Sequence, residues 1–139
     1  MSRTLAREVA MKMAYAELMG GEDSPEAVLE KSGEALDELT PEELAFSHEL
    51  VDSVKEHVTE LDEIISSHAI DWSFDRIAKV DLCILRIALS EILYPAGVPE
   101  SAAINAAIEL AKKFGGEKSF AFINGILGTV SRERATAAD

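Results

Sequence analysis

The chain holds a single cysteine, Cys83, so no intramolecular disulfide can form and no thiolate cluster can bind a metal ion. Its place inside an apolar run makes it a small buried hydrophobe rather than a nucleophile. No stretch approaches the roughly 20 apolar residues that a bilayer span requires, and the opening MSRTLAREVA lacks the apolar core of a signal peptide. A cytoplasmic protein without membrane contact is expected. HExxH, P-loop and GxGxxG motifs are absent, and no Glu-x-x-His pair occurs, which removes the signature of a di-iron helical bundle. His48, His57 and His68 are nine and eleven residues apart on one expected helix, too far apart to share a site without help from other helices. The many carboxylates have no evident pocket to perturb them and read as helical surface charge. No enzyme activity, cofactor or metal is expected. No alternating strand pattern appears either, so the predicted class is all-α.

Basic side chains are also few. Against 26 acidic residues the 13 lysines and arginines leave a net charge of −13, which taken whole argues against nucleic acid. The excess is local, however: residues 20–63 hold fifteen acidic and two basic side chains, and the segments on either side are close to neutral. Exposed charges separated by more than about 8 Å are largely screened at physiological salt. A basic patch outside the acidic segment is therefore free to face RNA.

With 139 residues and 47% apolar side chains, the chain is long enough for one domain with a substantial core. The stretch that organises it is Val80–Tyr94, VDLCILRIALSEILY, which is apolar in nearly every direction of a helix and so predicts a helix covered on several sides. Its charges, Asp81 and Arg86, must reach the rim of the core or be paired. Arg86 is expected to be a paired cation at the core edge.

The remaining elements follow from local chemistry. Leu5, Val9, Met13 and Ala16 predict an amphipathic helix over residues 3–19, ended by Gly20-Gly21, with Arg3, Arg7 and Lys12 on its outer face. Ser24-Pro25 starts a short acidic helix to about Glu38. Thr40-Pro41-Glu42-Glu43 is a capping box opening a long helix to about His68. Ser73 is placed to cap a short turn containing Phe74, Ile77 and Ala78. After the Tyr94–Pro99 loop, a helix to Phe114 turns Ile104, Ala107, Ile108, Ala111 and Phe114 inward, and Gly115-Gly116 closes it. The last helix, Glu117–Arg132, buries Phe120, Ile123, Leu127 and Val130 and runs through Asn124-Gly125, where the glycine would let a neighbouring helix come close. The expected organisation is one domain over 1–132, with an N-terminal bundle over 3–68, a C-terminal bundle over 72–132 and a disordered tail over 133–139.

One patch carries a chemical signal. Lys112, Lys113 and Lys118 bracket the diglycine turn, and Phe122 falls outside the apolar seam of the last helix. Cations beside an open aromatic ring suit single-stranded RNA, whose phosphates and bases they would hold.

At this point the sequence resembles the transcription antitermination factor NusB family. The matching text runs in order along the chain: LAREVAMKMAYA, then DWSFDRIAKVDLCILRIALSEILY, then VPESAAINAAIELAKKFGGEKSFAFINGIL. The resemblance implies two three-helix bundles in one compact domain and no catalysis. It further implies binding of boxA-type leader RNA of ribosomal operons, jointly with ribosomal protein NusE, in an RNA polymerase antitermination complex, and it allows a homodimer. Carried onto matching positions, the family's arginine patch falls on Arg3 and Arg7, and its RNA-facing turn and aromatic on Glu117, Lys118 and Phe122, with Lys112 alongside. The NusE-facing positions fall on Tyr15, Asp75 and Asp81. The chain departs from the family's pattern at Thr4 and Leu5, where the arginine cluster is usually denser, at Ala106, where a glutamate is usual, and at Lys118, often acidic. Lys118 would recover some attraction lost at the N-terminus, but the sparse arginine patch and the net charge of −13 support a second reading, a helical protein-interaction module with weak or lost RNA binding.

Overall fold

The computed structural model describes residues 3–20, 39–69, 73–94 and 99–138. The helix expected from Ser24 to Glu38, the Asp71-Trp72 junction and the interior of the Tyr94–Pro99 loop lie outside the described residues. Among the described residues the elements are five α-helices and one 3-10 turn, with no strand.

Helix α1 spans Thr4–Leu18 and buries Ala6, Val9, Ala10, Met11 and Met13. Gly20 follows at φ +86°, a left-handed conformation that glycine adopts without a Cβ penalty. Helix α2 spans Pro41–His68 and opens with the expected capping box: the Glu43 N–H donates to Thr40 Oγ1 at 3.1 Å and the Thr40 N–H donates to Glu43 Oε1 at 2.9 Å. Removing such a cap costs about 1 kcal/mol. A kink sits at His57 (φ −114°, ψ 16°). There the His57 ring donates through Nδ1 to the Ser53 carbonyl at 2.9 Å, so a side chain has entered the i to i−4 ladder.

A 3-10 turn, Phe74–Arg76, leads into helix α3, Lys79–Leu93. Ser73 precedes the turn in extended conformation, but its hydroxyl makes no capping bond, contrary to expectation. In α3 eleven of fifteen residues are buried, and the helix packs against each of the other four. Leu85 and Leu89 have no exposed surface; truncating such a core leucine to alanine costs about 2–5 kcal/mol. The Cys83 thiol lies among them, pushed by burial up to about 11, and is therefore neutral. Arg86 finds its partner in Asp62 of α2, with Nε–Oδ1 at 2.8 Å and Nη2–Oδ2 at 2.7 Å.

Helices α4, Glu100–Phe114, and α5, Ser119–Ala138, complete the C-terminal bundle with α3, while α1 and α2 are the described part of the N-terminal one. One continuous apolar core joins all five. Two faces differ in phase from the expectation. In α4 the buried stripe is Ala103, Ala106, Ala107, Leu110 and Ala111, while Ile104, Ile108 and Phe114 are only partly covered. In α5 Ile123, Ile126, Leu127 and Val130 are buried as a seam, but Phe120 is 41% exposed and Phe122 is the ring packed against the core.

The α4–α5 turn explains this phase. Gly115 is in ordinary extended geometry, yet a Cβ there would lie 2.5 Å from Ser119 Cβ and 2.7 Å from the Ala111 carbonyl oxygen. Glycine is required by that close approach, which fixes how α5 begins. By contrast, a Cβ at Gly125 would meet nothing within 4 Å, so no helix comes close at that residue. Helix α5 also continues past Arg132 to Ala138, where a disordered tail is expected from the sequence.

Candidate nucleic-acid and partner interface

A groove of about 520 Å³ opens where the 3-10 turn, the start of α3 and the α4–α5 turn meet. Arg76, Asp81, Lys118, Ser119 and Phe122 line it. Asp81 is the unusual member, since it is only 7% exposed and its Oδ1 is buried with no hydrogen-bond partner among the described residues. Burial pushes its carboxyl above the ordinary value, and a hydrogen bond from Ser119 offsets this in part. The Ser119 hydroxyl also accepts the Gly116 N–H at 2.8 Å, which anchors the turn. A desolvated carboxylate oxygen without a donor is costly for the fold. Asp81 lines the groove as a residue, but this oxygen itself lies beneath the surface.

Beside this groove the expected RNA-facing residues separate into groups. Lys118 and Glu117 are exposed on the turn, and Lys112 is exposed at the end of α4. The Lys112 ammonium lies 5.2 Å from the centroid of the Phe120 ring and 3.7 Å from Glu109. Lys113 reaches across to α1, where its Nζ is 2.7 Å from Glu8 Oε1; Lys12 holds the other oxygen of the same buried carboxylate at 3.1 Å. Phe122, expected as the open ring, forms part of the groove wall.

At the N-terminus the two arginines have different surroundings. Arg3 is exposed, with its guanidinium 4.4 Å above the Phe46 ring. Arg7, expected to face phosphates, is only 6% exposed and donates from Nε and Nη2 to the Glu91 carboxylate at 2.9–3.0 Å. Its charge is committed to a buried ion pair between α1 and α3, an arrangement that the expected phosphate-facing role did not include. Among the partner-facing positions, Asp81 alone lines the groove; Asp75 is exposed next to Arg76, and Tyr15 stands 36% exposed on α1. The sequence reading missed Arg76 and Ser119 as groove residues. Ser119 is signalled only by its spacing of three from Gly116, the offset of a side-chain cap.

A further polar contact ties the two bundles. His68 at the end of α2 donates through Nδ1 to the Ile64 carbonyl at 2.8 Å, and its Nε2 lies 3.0 Å from Glu133 Oε2 on α5. Both ring nitrogens face acceptors, an arrangement that favours the imidazolium, and the Ser67 hydroxyl lies 3.1 Å from Nδ1 as well. Accordingly the Ile64 carbonyl, with help from Glu133, raises the His68 pKa above its ordinary value. Among the described residues no helix is long and apolar enough to cross a membrane.

Comparison with known proteins agrees with this architecture. The NusB family model matches residues 4–132. The transcription antitermination protein NusB of Finegoldia magna is 38% identical over 138 residues, covering 99% of each chain. That of Geobacter sulfurreducens is 43% identical over 134 residues, 94% of each. That of Bacillus subtilis is 41% identical over 133 residues, 96% of this chain and 97% of its own. Among solved structures, T. maritima NusB superposes with a TM-score of 0.81 at 28% identity, over 96% of this chain and 92% of that one. A structure of antitermination factors NusB and NusE in complex with dsRNA aligns with a TM-score of 0.77 at 26% identity, over 96% and 99%.

Proposed function

The chain belongs to the NusB family of transcription antitermination proteins, which are not enzymes, and from that premise we propose that it is an RNA-and-protein adaptor. In this reading it acts in the cytoplasm, binds boxA-type leader RNA of ribosomal operons together with ribosomal protein NusE, and delivers both to an RNA polymerase antitermination complex. The observation that carries the proposal is the groove in which the Asp81 carboxyl, short of one hydrogen-bond donor, lies among Arg76, Lys118 and Phe122. A lysine or arginine of a basic ribosomal protein would be drawn to the Asp81 carboxyl in the groove, and Tyr15 and Asp75 would extend the protein-facing surface. Lys112, Lys118 and Arg3 are exposed cations for phosphates, with Glu117 at the turn and Phe122 in the groove wall. The net charge of −13 favours docking of a basic partner by electrostatic steering.

A second reading, a protein-interaction module with weak RNA binding, draws on Arg7. Once Arg7 is committed to Glu91, Arg3 is the one exposed arginine among the described residues of α1 and its N-terminal flank.

Fluorescence anisotropy with labelled boxA-like RNA, with and without NusE, separates the two. The adaptor reading expects salt-sensitive binding that NusE tightens. Replacing Lys112 and Lys118 together with alanine should lower the slope of log K against log salt by about 1.4, or about 0.7 per single-strand phosphate contact. Equal affinity for scrambled RNA, or no binding even with NusE, would sink it and leave the second reading.

A further inference from the structure

We infer that Phe120 is the ring on which a base of single-stranded RNA stacks, with Lys112 as the cation that bridges from that ring to the adjoining phosphate. The inference rests on the RNA-binding reading above and adds a residue that the family resemblance does not supply.

Stacking needs an open ring, held rigidly, beside cations. Phe120 meets each condition. Tyr15, Met19 and Phe120 are the exposed large apolar side chains among the described residues, and Phe120 alone lies next to the basic turn. Its backbone sits in the first turn of α5, directly after Ser119, which is only 5% exposed and bonded to Gly116. The ring is therefore presented by a fixed point of the fold, so little freedom is lost when a base lands on it. Lys112 lies over the ring at 5.2 Å, and its own ion pair with Glu109 is long at 3.7 Å between exposed side chains. Such a pair contributes little and yields readily to a phosphate. Lys118, two positions before Phe120 and exposed, supplies a second cation. Phe122, by contrast, packs against the core.

Every base has a π-face, so stacking on Phe120 adds affinity without sequence preference. The chemistry predicts a distinctive set of responses in the full chain, measured by anisotropy with boxA-like and scrambled single-stranded RNA. Phe120→Ala and Phe120→Leu should weaken both RNAs in the same proportion, by about 5- to 150-fold, and leave the salt slope unchanged. Phe120→Trp should restore or exceed the original affinity, and its added indole fluorescence should be quenched by RNA. Lys112→Ala should instead lower the salt slope. The ring is at the surface, so all variants should keep the parent's thermal midpoint. Unchanged RNA affinity in Phe120→Ala overturns the inference while the RNA-binding reading stands. Loss of NusE binding with RNA binding retained also overturns it, because the ring then meets protein. If the parent chain binds neither RNA even with NusE, both proposals fall.

Discussion

Helix α3 carries two buried carboxylates, one near each end, and they are handled in opposite ways. Glu91 is 4% exposed and receives three hydrogen bonds from the Arg7 guanidinium. Asp81 is 7% exposed and keeps one oxygen without a donor. Taking a charge out of water is tolerable when an in-chain partner offsets the desolvation. Glu91 follows that route and fastens α1 to the core. Asp81 follows the other: the fold carries the penalty of an oxygen left without a donor beneath a groove. The same helix thus holds a satisfied ion pair near one end and an unsatisfied carboxyl beside a groove near the other.

The contrast breaks most clearly at the anchored end. Glu91→Ala should destabilise the chain by about 3–5 kcal/mol in urea unfolding, because it leaves Arg7 buried without a counter-ion. Combining Arg7→Met with Glu91→Leu should recover most of that loss. A loss below about 1 kcal/mol for the single variant would mean that Arg7 reaches water after all.

At the other end the effect should change sign. A carboxyl whose pKa is raised in the fold supports folding only while protonated. That support is complete below the unfolded value of 3.8 and is lost as pH rises through the higher folded value. At neutral pH, therefore, Asp81 only weakens the fold, and Asp81→Asn should raise stability by about 1 kcal/mol. The same variant should weaken NusE binding tenfold or more, read by titration calorimetry. Lower stability together with unchanged partner affinity would erase the distinction between the two ends.

The smallest effect tests an exposed pair against these buried ones. The His68 pKa is raised, so the contribution of its contacts to Ile64 and Glu133 is whole below 6.5 and fades as pH climbs through the raised folded value. Solvent screening limits it to about 0.3–1 kcal/mol. His68→Gln should flatten the fall in stability across that window, as measured by urea midpoints at a series of pH values.

Elements governed by neighbouring residues were legible before the structure. Thr40 and Glu43 announce the start of α2, Pro99 that of α4, and the apolar run that of α3, because each signal lies within one or two helical turns. The Asp81 position at the rim also follows from charge placement in that run. Features set by distant packing were not legible. Nothing near Arg7 or Arg86 in the chain indicates Glu91 or Asp62. The choice between Phe120 and Phe122 depends on where α5 begins its rotation, which the Gly115–Ser119 contact decides. On α4 the buried positions are Ala103, Ala106, Ala107, Leu110 and Ala111, while Ile104 packs against the core only in part, a phase that depends on the neighbouring helices.

The Arg7–Glu91 pair spans 84 residues of sequence. During synthesis at about 5–20 residues per second, Glu91 emerges roughly 4–17 s after Arg7. For that interval α1 has an arginine on its packing face and no counter-charge to receive it, so α1 is locked in place only once α3 has emerged. Until then the apolar stripe of Val9, Ala10 and Met13, buried in the folded chain, has no core to pack against.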